Sequence, residues 1–306
     1  ALVVDEVGRP LPAKVSVVAQ YGQALTDAQR RSGGVFDLQA GEDYRFTDML
    51  PDAKPGQRAV IEAVAYTGAD GHVTIPVRPG DYTVYFSRGF EYDLTSAQVS
   101  VSLGGSASAS GQLTRVVNTE GWISMDGHVH SEHSIDSRMN MVSRLESAAG
   151  EGVEVVISTD HNFVSDWRPQ LDLLGLRPWL STFVGIEFTT LESGHFNSYP
   201  LEYQVGPVTH GSFEWFGRPP AELFAGLRTL SDRSTGASQN IIVCNHPRDA
   251  TQGYFNQYGR SSITGQPVSQ GTSKRLAGVS GPAFYDARGQ SQLSYDCDAL
   301  EILNGK

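Results

Sequence analysis

The sequence predicts an antiparallel β-sandwich over residues 1–116, followed over residues 117–306 by an α/β region built as a closed barrel with a parallel sheet. Three observations carry this reading. Near the N-terminus, apolar and polar residues alternate; further on, short apolar runs alternate with helical patterns; and those later runs end on histidines or carboxylates. Period-two patterning marks half-buried strands, whereas strands interleaved with helices mark a parallel sheet.

In the first part Ala13, Val15, Val17 and Ala19 alternate with polar positions, as do Val73, Ile75 and Val77. The pattern returns in Tyr82, Val84 and Phe86, and again in Val99, Val101 and Leu103, with the turn signal Arg78-Pro79-Gly80-Asp81 between. Such alternation belongs to antiparallel sheets with one buried face. The segment has no histidine cluster and no nucleophile dyad, so it reads as a packing or positioning module. Tyr92 leaves open a weaker alternative, sugar stacking.

In the second part His128-Val129-His130 places two imidazoles at i and i+2, on one face of a strand, where one ion could take both. Residues 137–150 read as a helix with Met141 and Leu145 at helical spacing and Gly150 and Gly152 closing it. The apolar run 153–157 leads to Asp160-His161-Asn162, the run 181–184 to Glu187, and the run 240–244 to His246. A second helix is expected over residues 219–233, opened by prolines. Side chains at the C-terminal ends of barrel strands converge on one pocket. Neutral imidazoles and carboxylates suit zinc, iron or manganese. One such histidine means little, but this convergence points to a metal site. His72 reads as a solvated turn residue and His210 as a loop residue, while His133 breaks the alternation beside it.

Together His128-x-His130, Asp136, Asp160-His161-Asn162, Glu187, Gly194-His195-x-Asn197 and Asn245-His246-Pro247 resemble the PHP (polymerase and histidinol phosphatase) superfamily. The runs from Arg115 to His130, at Gly194-His195-Phe-Asn197-x-x-Pro200-Leu201 and over 301–305 resemble its CehA/McbA-like metallohydrolase branch. The resemblance implies a distorted (β/α)7 barrel, preceded by a small sandwich module of the kind found beside carboxypeptidases, and two or three divalent metal ions. It implies His128, His130 and Glu187 on a first ion, Asp136 and His161 on a second, and Glu187, His195 and His246 on a third. Asp126, Asp160, Asn162 and Asn197 would orient those ligands, with Asp160 and Asn162 placed to assist catalysis. Arg248 could hold an anionic substrate group, or be an ordinary surface arginine. One element of the pattern is missing: no Asp-x-His follows His246, so the chain is expected to be a fragment or a degenerate member with an incomplete C-terminal end. The third set alone is complete by the family pattern.

The composition narrows the partners. With 34 acidic against 23 basic residues the formal net charge is −11, which disfavours nucleic acid and leaves a small, possibly anionic substrate. No apolar run reaches the roughly 20 residues of a membrane span. Cys244 and Cys297 read as two buried thiols, with a disulfide open if they are neighbours. Residues 253–293, with Arg260, Lys274, Arg275, Phe284 and Tyr285, read as a long loop able to cover a pocket. No Gly-x-Ser-x-Gly elbow or phosphate-binding glycine loop offers a competing chemistry. The expected function is a metal-dependent hydrolase, with phosphoesters favoured over amides or carbamates. A non-catalytic metal-binding recognition protein is the alternative from another class, and a purely structural cluster a third. Oligomeric state and compartment stay open, with bacterial envelope, secretion and cytoplasm all compatible.

Overall fold

The computed structural model describes residues 1–21, 58–258 and 292–302, which divide into two compact units. The expected long loop falls mostly on residues 259–291, so Arg260, Lys274, Arg275, Phe284 and Tyr285 lie outside the described residues, as do Asn304 and Gly305.

The first unit comprises Ala1–Ser124, Val142–Glu154 and Asp172–Leu180. Strands β1 (Leu2–Asp5) and β6 (Ser110–Leu113) pair in parallel. Strands β2 (Lys14–Tyr21), β3 (Arg58–Tyr66), β4 (Gly80–Ser87) and β5 (Thr95–Val101) form an antiparallel sheet in the order β3-β2-β4-β5. The alternation works as expected: Val15, Val17, Val84 and Phe86 point into a core with Val3, Leu11 and Leu113. Val73, Ile75 and Val77 pack against that core without joining a ladder. Pro76 lies among them and has no backbone donor for one. Tyr92 is half-buried beneath the Arg88 guanidinium, 5.6 Å from the ring centroid. Helix α1 (Met141–Gly150) starts later than its periodicity predicts, after turns over residues 132–136, and buries Leu145, Ala149 and Gly150. Just beyond it, Glu151 takes Lys14 Nζ at 2.8 Å and the Tyr66 hydroxyl at 3.0 Å.

The second unit comprises Met125–Met141, Val155–Leu171 and Ser181–Lys306. Strands β7 (Met125–Val129), β8 (Val155–Ser158) and β9 (Ser181–Val184) form the expected parallel sheet, with the short helix α2 (Arg168–Leu173) in the last connection. The next sheet is mixed. Strands β10 (Ile186–Thr190) and β11 (Gly194–Tyr199) are an antiparallel hairpin, and β12 (Ile241–Cys244) runs antiparallel to β11. Only β13 (Ala299–Leu300) is parallel to its neighbour, β12. The described strands therefore make a mixed, sheet-rich α/β unit, and a closed (β/α)7 ring is not among them. Helix α3 (Pro220–Thr229) has proline in its first turn and buries Leu223, Phe224 and Leu227. They pack with Phe188, Phe196, Ile242, Cys244 and Tyr254, and Phe224 meets the Phe196 ring edge-on at 5.0 Å. Tyr254 opens the short helix α4 (Tyr254–Gln257). Cys244 and Cys297 are free thiols on this core. Among the described residues no helix is long and apolar enough to cross a membrane.

Gly194 turns the hairpin at φ +87°, where a side chain would meet the Gln252 carbonyl at 2.7 Å. Gly8 has a similar φ of +83° with open space around it. Gly8→Ala should cost only the ~1–2 kcal/mol of left-handed backbone. Gly194→Ala should cost clearly more, because backbone must also move, and urea unfolding midpoints of the two variants check this.

Candidate metal centre

All the ligand candidates except Asp136, which lies in the turns over residues 132–136, stand in or within a few residues of a strand of the second unit. His128 lies in β7 and His130 one residue past it; His161 follows β8, and Glu187 lies in β10. In the hairpin register Thr189 faces His195 and Glu187 faces Asn197, while an isolated parallel bridge joins His161 to Glu187. His246 follows β12, its φ of +27° turning the chain sharply. The side chains converge on one carboxylate, Glu187, which is 1% exposed.

Five imidazoles surround it. Oε2 has His128 Nε2 at 3.3 Å, His130 Nε2 at 3.2 Å and His161 Nδ1 at 3.1 Å. Oε1 has His195 Nδ1 at 3.0 Å and His246 Nε2 at 3.5 Å, and accepts from Asn245 Nδ2 at 2.9 Å. Hydrogen bonds at Nδ1 fix the tautomers of four of the rings. His128 Nδ1 is 2.8 Å from Glu301 Oε1, an oxygen that can only accept, so Nδ1 carries the proton. His130 Nδ1 is 2.8 Å from Ser134 Oγ, whose own proton goes to Asp136 Oδ1 at 2.8 Å. His161 Nδ1 is 2.5 Å from Thr189 Oγ1, which donates to the Glu187 carbonyl. His195 Nδ1 donates to Glu187 itself.

Neutral rings in these tautomers present Nε2 lone pairs. Those of His128 and His130 face Glu187 Oε2, and that of His161 faces Asp136 Oδ2 at 3.4 Å. Acceptors facing acceptors repel unless a cation lies between them. Glu187 Oε2, His195 Nε2 and His246 Nδ1 are buried with no hydrogen-bond partner. Two atoms each ~2.0–2.1 Å from one tetrahedral ion sit about 3.3 Å apart, which matches the spacings here. The donor set fits divalent metal.

The electrostatics carry the same demand for positive charge. Burial opposes an imidazolium at His128, but Glu187 and Glu301 outweigh it and raise its pKa to about 9. Burial lowers the pKa of His161, with His130 and His195 adding repulsion that Glu187 and Asp136 only partly offset. At Glu187 burial would raise the pKa, yet the imidazoles of His128, His130, His195 and His246 reverse it and hold the carboxylate ionised. Asp136 is likewise lowered against the effect of burial, by the Ser134 hydroxyl and by His130 and His161.

Three sets of ligand atoms lie mutually within 4.8 Å: His128, His130 and Glu187; His130, Asp136 and His161; and His161, Glu187 and His195. The expected first set is thus brought together whole. In the second, His130 joins Asp136 and His161. In the third, His161 stands with Glu187 and His195, while His246 lies at the edge, its ring centroid 5.0 Å from that of His195.

Asp160 and Asn162 sit behind the ligands. Asp160 is fully buried and accepts from Ser131 N at 2.5 Å, Ser131 Oγ at 2.8 Å and Ser165 Oγ at 2.5 Å. Asn162, at φ +52°, exchanges bonds of 2.8 and 2.9 Å with the Thr189 backbone. Asn197 reaches the Gly127 carbonyl at 3.0 Å, and Asp126 accepts from His128 N at 3.1 Å. Arg248 is exposed above Phe255, on a cavity of about 390 Å³ that His246 and Glu301 also line. His133 stacks on Phe163 at 4.6 Å, and His210 stacks on Tyr203 at 4.5 Å; neither belongs to a ligand set. His72 is an exposed turn residue held to Asp70.

Sequence reasoning gave no role to the residues that fix the tautomers: Glu301, Ser134 and Thr189. Ser134 lies four residues after His130, a local signal; the other two reach their histidines only through tertiary pairing.

No family model and no curated protein sequence matches this chain. Among solved structures, it is similar to a two-domain protein from Bacteroides vulgatus that contains a predicted PHP-like metal-dependent phosphoesterase. The two are 22% identical over 42% of this chain and 36% of that one, with a TM-score of 0.31. The chain spans about a third of that protein's length.

The metal-free His128 pKa of about 9 sets a pH dependence. This raised pKa stabilises the metal-free fold fully below about 6.5, and that contribution is lost as pH rises through about 9. A protonated ring cannot ligate, so metal uptake must displace that proton. Apparent zinc affinity should rise about tenfold per pH unit between pH ~7 and ~9 and level off above. Competition titration against a chromophoric chelator measures it, and a flat profile would contradict the assignment.

Proposed function

We propose that this chain is a metal-dependent hydrolase of the PHP type that acts on phosphoester bonds of a small, anionic substrate. The observation that carries the proposal is the set of Nε2 lone pairs aimed at Glu187 and Asp136, fixed from behind by Glu301, Ser134 and Thr189. His128, His130 and Glu187 would hold one ion, Asp136 and His161 with His130 a second, and Glu187 and His195 with His161 or His246 a third. Such ions supply Lewis acidity and hydroxide at neutral pH. The remaining work falls to the protein. Glu187 and the imidazoles supply the fixed negative charge and lone pairs, and Asp160 and Asn162 hold the loops that bear them. Arg248 lines a cavity together with His246 and Glu301, and its guanidinium would receive an anionic group there. The order of the His and Asp motifs along the chain supports the PHP reading, and with it a barrel relationship for the two sheets of the second unit. The residues of 1–116 fit a positioning module. A formal net charge of −11 disfavours polyanionic nucleic acid.

Wild-type protein should hydrolyse p-nitrophenyl phosphate, and dialysis against chelator should abolish this until zinc, manganese or iron is restored. Glu187→Gln and His130→Ala should each lower turnover by at least the ~100-fold seen for losing groups that merely support metal ligands. Turnover of a p-nitroanilide or aryl carbamate in place of the phosphate would shift the bond class. Metal uptake with no turnover of any of them would leave a recognition protein.

A further inference from the structure

We infer that Glu301 is a positioning residue of the centre, a two-armed carboxylate that holds His128 and His246 in register with each other. The inference rests on the metal-centre reading above. Strand β13 pairs in parallel with β12, Val243 facing Ala299 and Cys244 facing Leu300, and the Glu301 amide donates to the Cys244 carbonyl at 2.9 Å. The Glu301 backbone is thereby fixed to the end of the strand that delivers His246.

From that base one arm, Oε1, takes the His128 Nδ1 proton at 2.8 Å. The other, Oε2, accepts from the His246 backbone amide at 2.8 Å. The first bond fixes the His128 tautomer and makes its Nε2 more basic. The second holds a backbone turn that would otherwise be strained, since His246 has a φ of +27°. Glu301 stands 173 residues from His128 and 55 from His246, so one side chain ties two ligands from distant parts of the sequence.

A simple surface ion pair would use one arm and tolerate a neutral partner. This arrangement uses both oxygens as acceptors. A glutamine could serve one arm only, because its amide would turn a donor toward the other N–H.

The test uses cobalt(II) as the probe, read by its visible absorption, on wild type, Glu301→Gln and Glu301→Ala, with circular dichroism to establish that each is folded. Glu301→Ala should lose about 10–100-fold in cobalt affinity with a shifted visible band, and Glu301→Gln should shift the band in the same direction with a smaller loss. If Glu301→Ala fails to fold, the glutamine variant carries the test. Affinity and spectrum unchanged in folded variants would overturn the role of Glu301 while leaving the centre intact. Wild type that takes up no cobalt would overturn the metal-centre reading itself.

Discussion

A carboxylate withdrawn from water must find positive charge, and around Glu187 that requirement organises the second unit. At 1% exposure, the group faces a desolvation penalty of several kcal/mol unless something nearby offsets it. Among the described residues no lysine or arginine pairs with it; Asn245 and the His195 Nδ1–H donate to Oε1, while the Nε2 lone pairs of neutral His128 and His130 offer nothing to a bare anion at Oε2. The arrangement makes electrostatic sense as a cation holder. His128, whose pKa is raised by Glu187 and Glu301, would carry a proton when metal is absent and exchange it for metal when it is present.

The supporting residues follow from the same constraint. A ring free to flip would present either nitrogen, and at His128 and His130 a partner behind the ring settles which one it presents. Thr189 serves twice, meeting the His161 ring through its hydroxyl and Asn162 through its backbone. Asp160, which resembles a ligand by residue type, instead saturates its oxygens on Ser131 and Ser165 and fixes the chain between His130 and Ser134. Asn245 and Asn197 bond each other at 2.7 Å and link β11, β12 and the Gly127 carbonyl of β7. Buried polar networks of this kind, once satisfied, specify a single arrangement.

What the sequence made legible were features with a short period. The i and i+2 spacing of His128 and His130, the apolar runs ahead of His161, Glu187 and His246, and the alternation of Val15, Val17, Val84 and Phe86 are all local signals. Strand direction was not legible. Residues from Gly194 to Ser198 are all buried, so β11 shows no alternation that could distinguish an antiparallel partner from a parallel one. The split between ligands and supports was hidden as well. Asp136 and Asp160 look alike on paper, yet the first has a side chain 56% exposed beside His161 and the second is enclosed by hydroxyls. Glu301 and Thr189 reach their histidines only because sheet register and the His161–Glu187 bridge bring them there.

The contrast between the β10–β11 hairpin and the distant Glu301 contact bears on the order in which the molecule comes together. Glu187 and His195 lie eight residues apart on a closed hairpin, a contact of low entropic cost that forms quickly. His128 and Glu301 can meet only after a loop of 173 residues has closed, and such closures come late in folding. The centre is therefore built from a local pair outward. The full set of partners around Glu187 is thus in place only once that long-range pairing has formed.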